Sequence, residues 1–331
     1  MALNMSIKKQ KILVILGPTS SGKSDIAVKL AKKFDGEVIS ADSRQIFRGL
    51  DLGTGKIERD ESREKSGFEE FRELRSRKGK AGLWTAHGIP HYMIDIVSPR
   101  TDYNVAKYKK QTGKIIEDIL KRGKLPILCG GTGFWIKAIV DDVNFPKVKP
   151  DWKLRKKLEK YSAEKLFAML KKLDSARAKT IDAKNKVRLV RAIEICKSIK
   201  KVPQLPAASC QLPVAKYDFF QTGIKLSREE LYKNIEKRVK SRFKQGIVDE
   251  VKRLHSEGLS WKKIQSFGLA YFWIPLYLQK KISREELVEK VVQAEKNYAK
   301  RQMTWFKRDK GIEWLGDCKE IERATKIFLK K

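Results

Sequence analysis

The residues with the plainest chemistry form one octapeptide, Gly17-Pro18-Thr19-Ser20-Ser21-Gly22-Lys23-Ser24, which fits the pattern G-x-x-x-x-G-K-[ST]. It stands directly after the apolar run of residues 12–16 and before a stretch with helical apolar spacing, Asp25 to Ala31. That is the place where such a motif works, at a strand end opening into a helix. Gly17 and Gly22 permit the backbone angles that turn successive N–H groups inward around an anion. Lys23 reaches terminal phosphate oxygens, and the Ser24 hydroxyl is a ligand for Mg²⁺. The helix N-terminus beneath adds a positive partial charge. The expected ligand is a di- or triphosphate.

Three further clusters stand at strand ends or on a helix. Asp42 follows the second apolar run, close to the phosphate loop, where it suits a Mg²⁺-associated carboxylate, a general base, or a cap for the next turn. Ser43, Arg44 and Gln45 project into the same cleft, and Arg44 and Gln45 carry donors for a base edge or a phosphate. Gly130, Gly131 and Gly133 let backbone approach a ligand, with the Thr132 hydroxyl among them. Phe134 and Trp135 suit core or stacking equally. In YAKRQMTWFKR, residues 298–308, helical spacing puts Lys300, Arg301, Thr304, Lys307 and Arg308 largely on one side. Basic residues interleaved with aromatics suit phosphate and base contact, and a solvated basic face is the plain alternative.

The elements that must position these groups alternate. Residues 12–16, 37–41, 91–96 and 125–129 read as strands, with helices near residues 24–34 and 105–122 between them. Such alternation predicts an α/β fold, a parallel sheet wrapped by helices with its functional loops at the carboxyl ends of the strands. Residues 57–89 interrupt the pattern as a charged surface excursion, partly helical. Residues 150–199 read as all-helical and rich in Lys and Arg, and the proline-bearing residues 202–213 as a linker. Residues 218–224 look like a returning strand, followed by long amphipathic helices over residues 231–258 and 285–308. The expected division is a phosphate-loop core at residues 1–145 and 214–331, with a helical insertion and linker at residues 146–213.

Composition sets the class of partner. The 331 residues hold 74 Lys and Arg against 40 Asp and Glu, a formal net charge of +34. An enzyme of small metabolites needs no such excess. It implies a polyanionic partner, nucleic acid ahead of a membrane surface. Cys129, Cys196, Cys210 and Cys318 show no C-x-x-C spacing, so neither a disulfide framework nor a zinc site is expected. The opening residues lack the apolar core of a secretion signal, and no apolar run approaches the roughly 18 residues that span a bilayer. A cytoplasmic protein is expected, with no membrane association and no evident protein partner.

In order along the chain occur GPTSSGKS, ADSRQIFRGLDLGTGK, PHYMIDIVSP followed by YNVAKY, LPILCGGTGFW, NKVRLVRAIE and AKRQMTWF. This sequence resembles the tRNA dimethylallyltransferases, or tRNA isopentenyltransferases, from about residue 11 to residue 314. The resemblance implies a P-loop NTPase-like fold and transfer of a dimethylallyl group from dimethylallyl diphosphate to the exocyclic amine of adenosine 37, beside the tRNA anticodon. It implies that the phosphate loop, with Mg²⁺, holds the prenyl diphosphate. It makes Asp42 the base and puts Thr132 beside the acceptor. Arg155, then Val187, Arg188, Leu189, Val190 and Arg191, become contacts to the anticodon arm, together with Lys300, Arg301, Gln302, Thr304, Trp305 and Lys307. Arg228 is expected near the diphosphate.

The chain also departs from the family's pattern. The excursion at residues 57–89 is longer than usual. Gly268-Leu269-Ala270-Tyr271 replaces Gly-Tyr followed by Lys or Arg, leaving Tyr271, Lys262 or Lys263 to compensate for a tRNA contact. The zinc finger of eukaryotic relatives is missing, which favours the bacterial type. The rivals are a P-loop kinase of a nucleotide or other small molecule, an adenylate isopentenyltransferase, and a non-catalytic RNA-binding module. The first leaves the basic insertion unexplained, the second has no use for the basic strips, and the third has none for a phosphate loop beside Asp42.

Overall fold

Why the first strand belongs in the middle of a sheet is written in its alternation. In β1 (Gln10–Leu16), Ile12, Val14 and Leu16 enter one apolar cluster, while Leu13 and Ile15 enter another. A strand apolar on both faces is stable only when helices cover both, which is the parallel α/β arrangement. The computed structural model describes residues 9–60, 83–202 and 216–331.

From β1 the chain passes through α1 (Lys23–Lys33) to β2 (Gly36–Ser40), then to β3 (Trp84–Ala86) and β4 (Ile89–Tyr92). Helix α2 (Val105–Lys121) leads into β5 (Leu125–Gly130) and α3 (Gly133–Val140). Four helices follow, α4 (Trp152–Leu158), α5 (Ala163–Leu173), α6 (Ser175–Thr180) and α7 (Lys186–Ile199). The chain then returns through β6 (Tyr217–Ile224), α8 (Arg228–Lys244), α9 (Ile247–Ser256), α10 (Trp261–Gln265) and α11 (Ala270–Leu278). It ends with α12 (Arg284–Phe306), β7 (Ile312–Leu315) and α13 (Cys318–Lys330). Among the described residues the sheet runs β3-β4-β2-β5-β1-β6-β7, and every pairing is parallel except β3 with β4. The expected α/β fold with a parallel sheet is what forms.

Register lines up the ends that matter. Leu16 pairs with Gly130, Ser40 with Cys129, and Leu16 with Gly223, so the loops after β1, β2, β5 and β6 emerge side by side at the carboxyl edge.

Some elements differ from the sequence reading. The strand expected at residues 91–96 stops at Tyr92, because Met93 and Asp95 take φ of 63° and 56° and turn the chain. The long helix expected over residues 231–258 is two helices, broken where Gly246 takes φ 92° and starts α9. The excursion contains the short strand β3, paired antiparallel to β4, and its partly helical reading at residues 61–82 lies outside the described residues. So does most of the expected linker, residues 203–215.

The chain forms two compact units, Met1–Asp141 with Val214–Lys331, and Asp142–Pro213. The second has its own apolar core of Leu158, Leu166, Leu170, Leu189 and Ile193. Among the described residues no helix is long and apolar enough to cross a membrane.

Candidate active site

The loops at the carboxyl edge enclose a cavity of about 900 Å³. Its lining includes Thr19 to Asp25 of the phosphate loop, Asp42 to Gln45 after β2, and Gly130 after β5. Gly22 takes φ 81° and Ser20 takes φ 62°, the left-handed angles that fold the loop into a cradle. The Lys23 ammonium bends back to donate to the Pro18 carbonyl at 3.0 Å, closing the cradle over itself. Burial lowers its pKa from the ordinary lysine value; the nearby Cys129 and Asp42 act against that, and Arg238 adds to it. An incoming anion restores what burial takes away.

Asp42 and Thr132 stand together. Asp42 Oδ1 accepts from the Arg44 N–H at 2.8 Å, and the other carboxylate oxygen has no protein hydrogen bond among the described residues. Capping the turn through one oxygen is therefore compatible with either of the other roles left open for it, Mg²⁺-associated carboxylate or general base, on the second. Thr132 Oγ1 accepts from the Ser43 N–H at 3.1 Å, and its own N–H donates to Ala41 O at 3.1 Å, tying the β5 loop to the β2 loop. Tyr298 of α12 closes the group. Burial raises its phenol pKa above the ordinary value, the Asp42 charge adds to that, and Thr132 is its side-chain partner. Gln45 is spent inside the wall, accepting from Ser40 Oγ at 2.9 Å and donating to Gly55 O at 3.2 Å. Arg44 donates to Ser266 O at 3.5 Å.

Sequence reasoning missed the arginines of α8. Arg238 donates from one end to Thr19 Oγ1 at 3.2 Å and Ser20 Oγ at 3.4 Å, and from the other to Gly55 O at 3.2 Å. Arg242, one turn on, donates to Glu295 Oε1 at 3.0 Å. Burial, then the like charge of Arg242, brings the Arg238 pKa down to about 10. Arg228 does not reach the loop. It is exposed at the start of α8, its guanidinium 5.1 Å from the Tyr232 ring centroid. The signal lay in EKRVKSRF, where two arginines four apart share one helix face.

The phosphate loop, Asp42 with one oxygen unbonded, and Arg238 thus share one cavity. The chain matches the IPP transferase family over residues 71–309 and the isopentenyl transferase family over residues 10–102. It is 39% identical to the tRNA dimethylallyltransferase of Pelotomaculum thermopropionicum, covering 97% of this chain and 98% of that one. This chain belongs to the tRNA dimethylallyltransferase family. Solved structures agree. The tRNA isopentenylpyrophosphate transferase of Bacillus halodurans is 30% identical, with a TM-score of 0.65 over 97% of this chain and 96% of that one. The enzyme of the same kind from Staphylococcus epidermidis is 33% identical, with a TM-score of 0.64 over 98% of this chain and 100% of that one.

The positions expected at the tRNA contact on α12 divide between buried and exposed. Gln302 is buried; its amide accepts from Thr19 N at 2.8 Å and donates to Gly131 O at 2.8 Å, bridging the phosphate loop to the β5 loop. Gly131 and Gly133 serve that packing, since a Cβ would stand 2.2 Å from Gln302 Nε2 and 2.1 Å from the Trp305 ring. They admit protein rather than ligand. Trp305 also meets Phe134 edge-on at 6.3 Å. Lys300, Arg301, Thr304 and Lys307 are exposed on α12, and Arg301 lines the cavity. Tyr271 is buried, and its hydroxyl is taken by Glu250. Lys263 lies 3.7 Å from Asp102, and Lys262 is exposed.

In the helical unit, Leu189 and Val190 are core residues, because the helix turns their side chains inward. Arg155 donates to both oxygens of buried Glu194 at 2.8 Å, and Arg191 pairs with the same carboxylate. Burial opposes the charge on Glu194, but these hydrogen bonds prevail and hold its pKa at about 2. Arg191 also donates to Val148 O at 3.0 Å. Val187 and Arg188 remain exposed at the start of α7.

The donor set suits Mg²⁺. Ser24, Asp25 and Asp42 offer hard oxygen atoms in the same cavity, and Mg²⁺ takes few protein ligands, completing its shell with phosphate oxygens and water. Among the described residues no group of three or more His, Cys, Asp or Glu could hold a metal ion by itself.

Proposed function

We propose that this protein transfers a dimethylallyl group from dimethylallyl diphosphate to the exocyclic amine of adenosine 37 in tRNA, releasing diphosphate. The observation that carries this reading is Asp42 lining one cavity with the phosphate loop and Arg238, its turn tied to the β5 loop where Thr132 Oγ1 accepts from the Ser43 N–H. The phosphate loop holds the diphosphate of the donor. As the allylic carbon–oxygen bond breaks, negative charge moves onto the diphosphate. The loop N–H groups, Lys23 and Arg238 are aimed where that charge grows. The amine of adenosine is a weak nucleophile, its lone pair delocalised into the ring. It attacks the allylic carbon, and the open oxygen of Asp42 takes the proton that the new carbon–nitrogen bond expels. Thr132 and Tyr298 position the base. Ser24 would hold a Mg²⁺ ion, which would supply charge neutralisation on the leaving group.

The acceptor lies in a single-stranded loop, so drawing its base into the cavity costs only a few kcal/mol of unstacking. The net charge of +34 suits the phosphates of an anticodon arm, and a tRNA substrate would place the protein in the cytoplasm. The deciding assay offers radiolabelled dimethylallyl diphosphate with tRNA, AMP and ATP as competing acceptors. Label in tRNA is the expected outcome. Label in AMP or ATP instead would make it a maker of free prenylated nucleotides. Protection from unfolding by ATP but not by the prenyl diphosphate would favour a kinase.

A further inference from the structure

Gly53 to Glu58 line part of the cavity, and a buried carboxylate holds the turn that begins this stretch. Glu250 Oε2 accepts from the N–H groups of Asp51 at 2.9 Å and Leu52 at 2.8 Å, while Oε1 accepts from Gly53 N at 3.3 Å. Its fourth donor is the Tyr271 hydroxyl, at 2.6 Å from Oε1. Three successive backbone donors on one carboxylate make a protein-built anion nest, here filled by the protein's own residue. The Tyr271 ring lies so close to this turn that a Cβ on Gly53 would stand 2.4 Å from it. Arg253, on the same helix as Glu250, adds a bond to Gly49 O at 3.1 Å.

The segment leads directly to Arg238. Two residues beyond the nest, Gly55 O accepts from Arg238 Nη2 at 3.2 Å, and the other end of that guanidinium reaches Thr19 and Ser20. A Cβ at Gly55 would overlap the Arg238 guanidinium, at 1.6 Å. The height of the Gly55 carbonyl therefore sets how far Arg238 extends over the phosphate cradle. We infer that Glu250 and Tyr271 are positioning residues, a clamp that fixes the 51–55 turn so that Arg238 is held over the phosphate loop before ligand arrives. The unusual Gly268-Leu269-Ala270-Tyr271 stretch gains a role by this reading: it brings the phenol to Glu250. Burial, and then the carboxylate itself, raise the Tyr271 pKa well above its ordinary value, so the phenol remains a donor throughout the working range. The inference rests on the reading that this cavity takes a diphosphate.

The test is a double-mutant cycle on affinity for inorganic diphosphate with Mg²⁺, using Tyr271→Phe and Arg238→Lys. Phenylalanine keeps the ring and removes one hydrogen bond, so it serves where Glu250→Gln fails to fold. Tyr271→Phe should weaken diphosphate by about three- to tenfold, the scale of one buried hydrogen bond. In the Arg238→Lys background the same change should do almost nothing more, because the clamp acts through that arginine. Equal losses in both backgrounds, or an unchanged single variant, would overturn the clamp whatever happens to thermal stability. Absence of diphosphate binding by the wild type would overturn it too. The expected coupling without prenyl transfer to tRNA would leave the clamp standing and remove the proposed transfer.

Discussion

At the scale of single residues, the chemistry turns on which atoms remain open. Asp42 holds its own turn with one oxygen, and the proposed transfer uses the other, so Asp42→Asn should preserve the turn and both substrate affinities. Transfer should slow by about 10²–10⁴-fold, the range for a positioned proton acceptor. Single-turnover transfer with labelled donor measures this, and a near-normal rate would remove Asp42 from the reaction. Lys23→Ala should act earlier, weakening the prenyl diphosphate and its departure while leaving tRNA affinity unchanged. Calorimetric titration of the donor beside filter binding of tRNA separates the two effects. Asp42 and Lys23 could be read from the sequence because strand-end placement and motif spacing are local. Arg238 could not, since its role depends on the face α8 turns toward a loop more than 200 residues earlier.

At the scale of elements, two buried polar groups tie segments together. Gln302→Ala would leave Thr19 N and Gly131 O without their partner, costing about 1–3 kcal/mol for a buried unsatisfied group. Urea unfolding should show this loss, and the Michaelis constant for the donor should rise because the phosphate loop loses its brace. Glu194 joins α4 to α7 through Arg155 and Arg191. Its folded pKa is depressed from 4.5 to about 2, so its contribution is fully present above pH 4.5 and is lost as pH falls toward 2. Denaturant titrations across that window should show a loss in the wild type that Glu194→Gln lacks. A Gln variant with the same pH dependence would show that the triad contributes nothing. The helical insertion was legible from its composition, but the inward turn of Leu189 and Val190 required the packing of α5 against α7.

At the scale of the whole molecule, net charge predicts how the protein meets tRNA. Affinity for an anticodon arm should fall steeply between low and physiological salt, because each neutralised phosphate releases counterions. Within the basic strips, the structure sorts structural arginines from exposed ones. Arg188→Ala and Lys300→Ala should each flatten the salt slope by roughly one unit, with unchanged affinity for the donor. Arg191→Ala should instead lower stability, since its charge is paired within the helical unit. Filter binding at several salt concentrations, with thermal unfolding alongside, distinguishes these outcomes. A slope unaltered by both exposed substitutions would make the strips ordinary solvated faces.

What the amino-acid order determined by itself was everything that depends on near neighbours. GPTSSGKS after an apolar strand, Asp42 at the next strand end and the basic excess together named the phosphate cradle, the carboxylate and the kind of partner. These features survive without a fold because spacing along one strand or helix dictates them. The tertiary structure decided which side chains face each other across long separations. It gave the phosphate loop its arginine from α8 and its brace from Gln302, and it turned Tyr271 inward to Glu250. Residues of one chemical type were thereby divided between exposed faces and scaffold, because most buried polar groups pair with what the packing brings within reach.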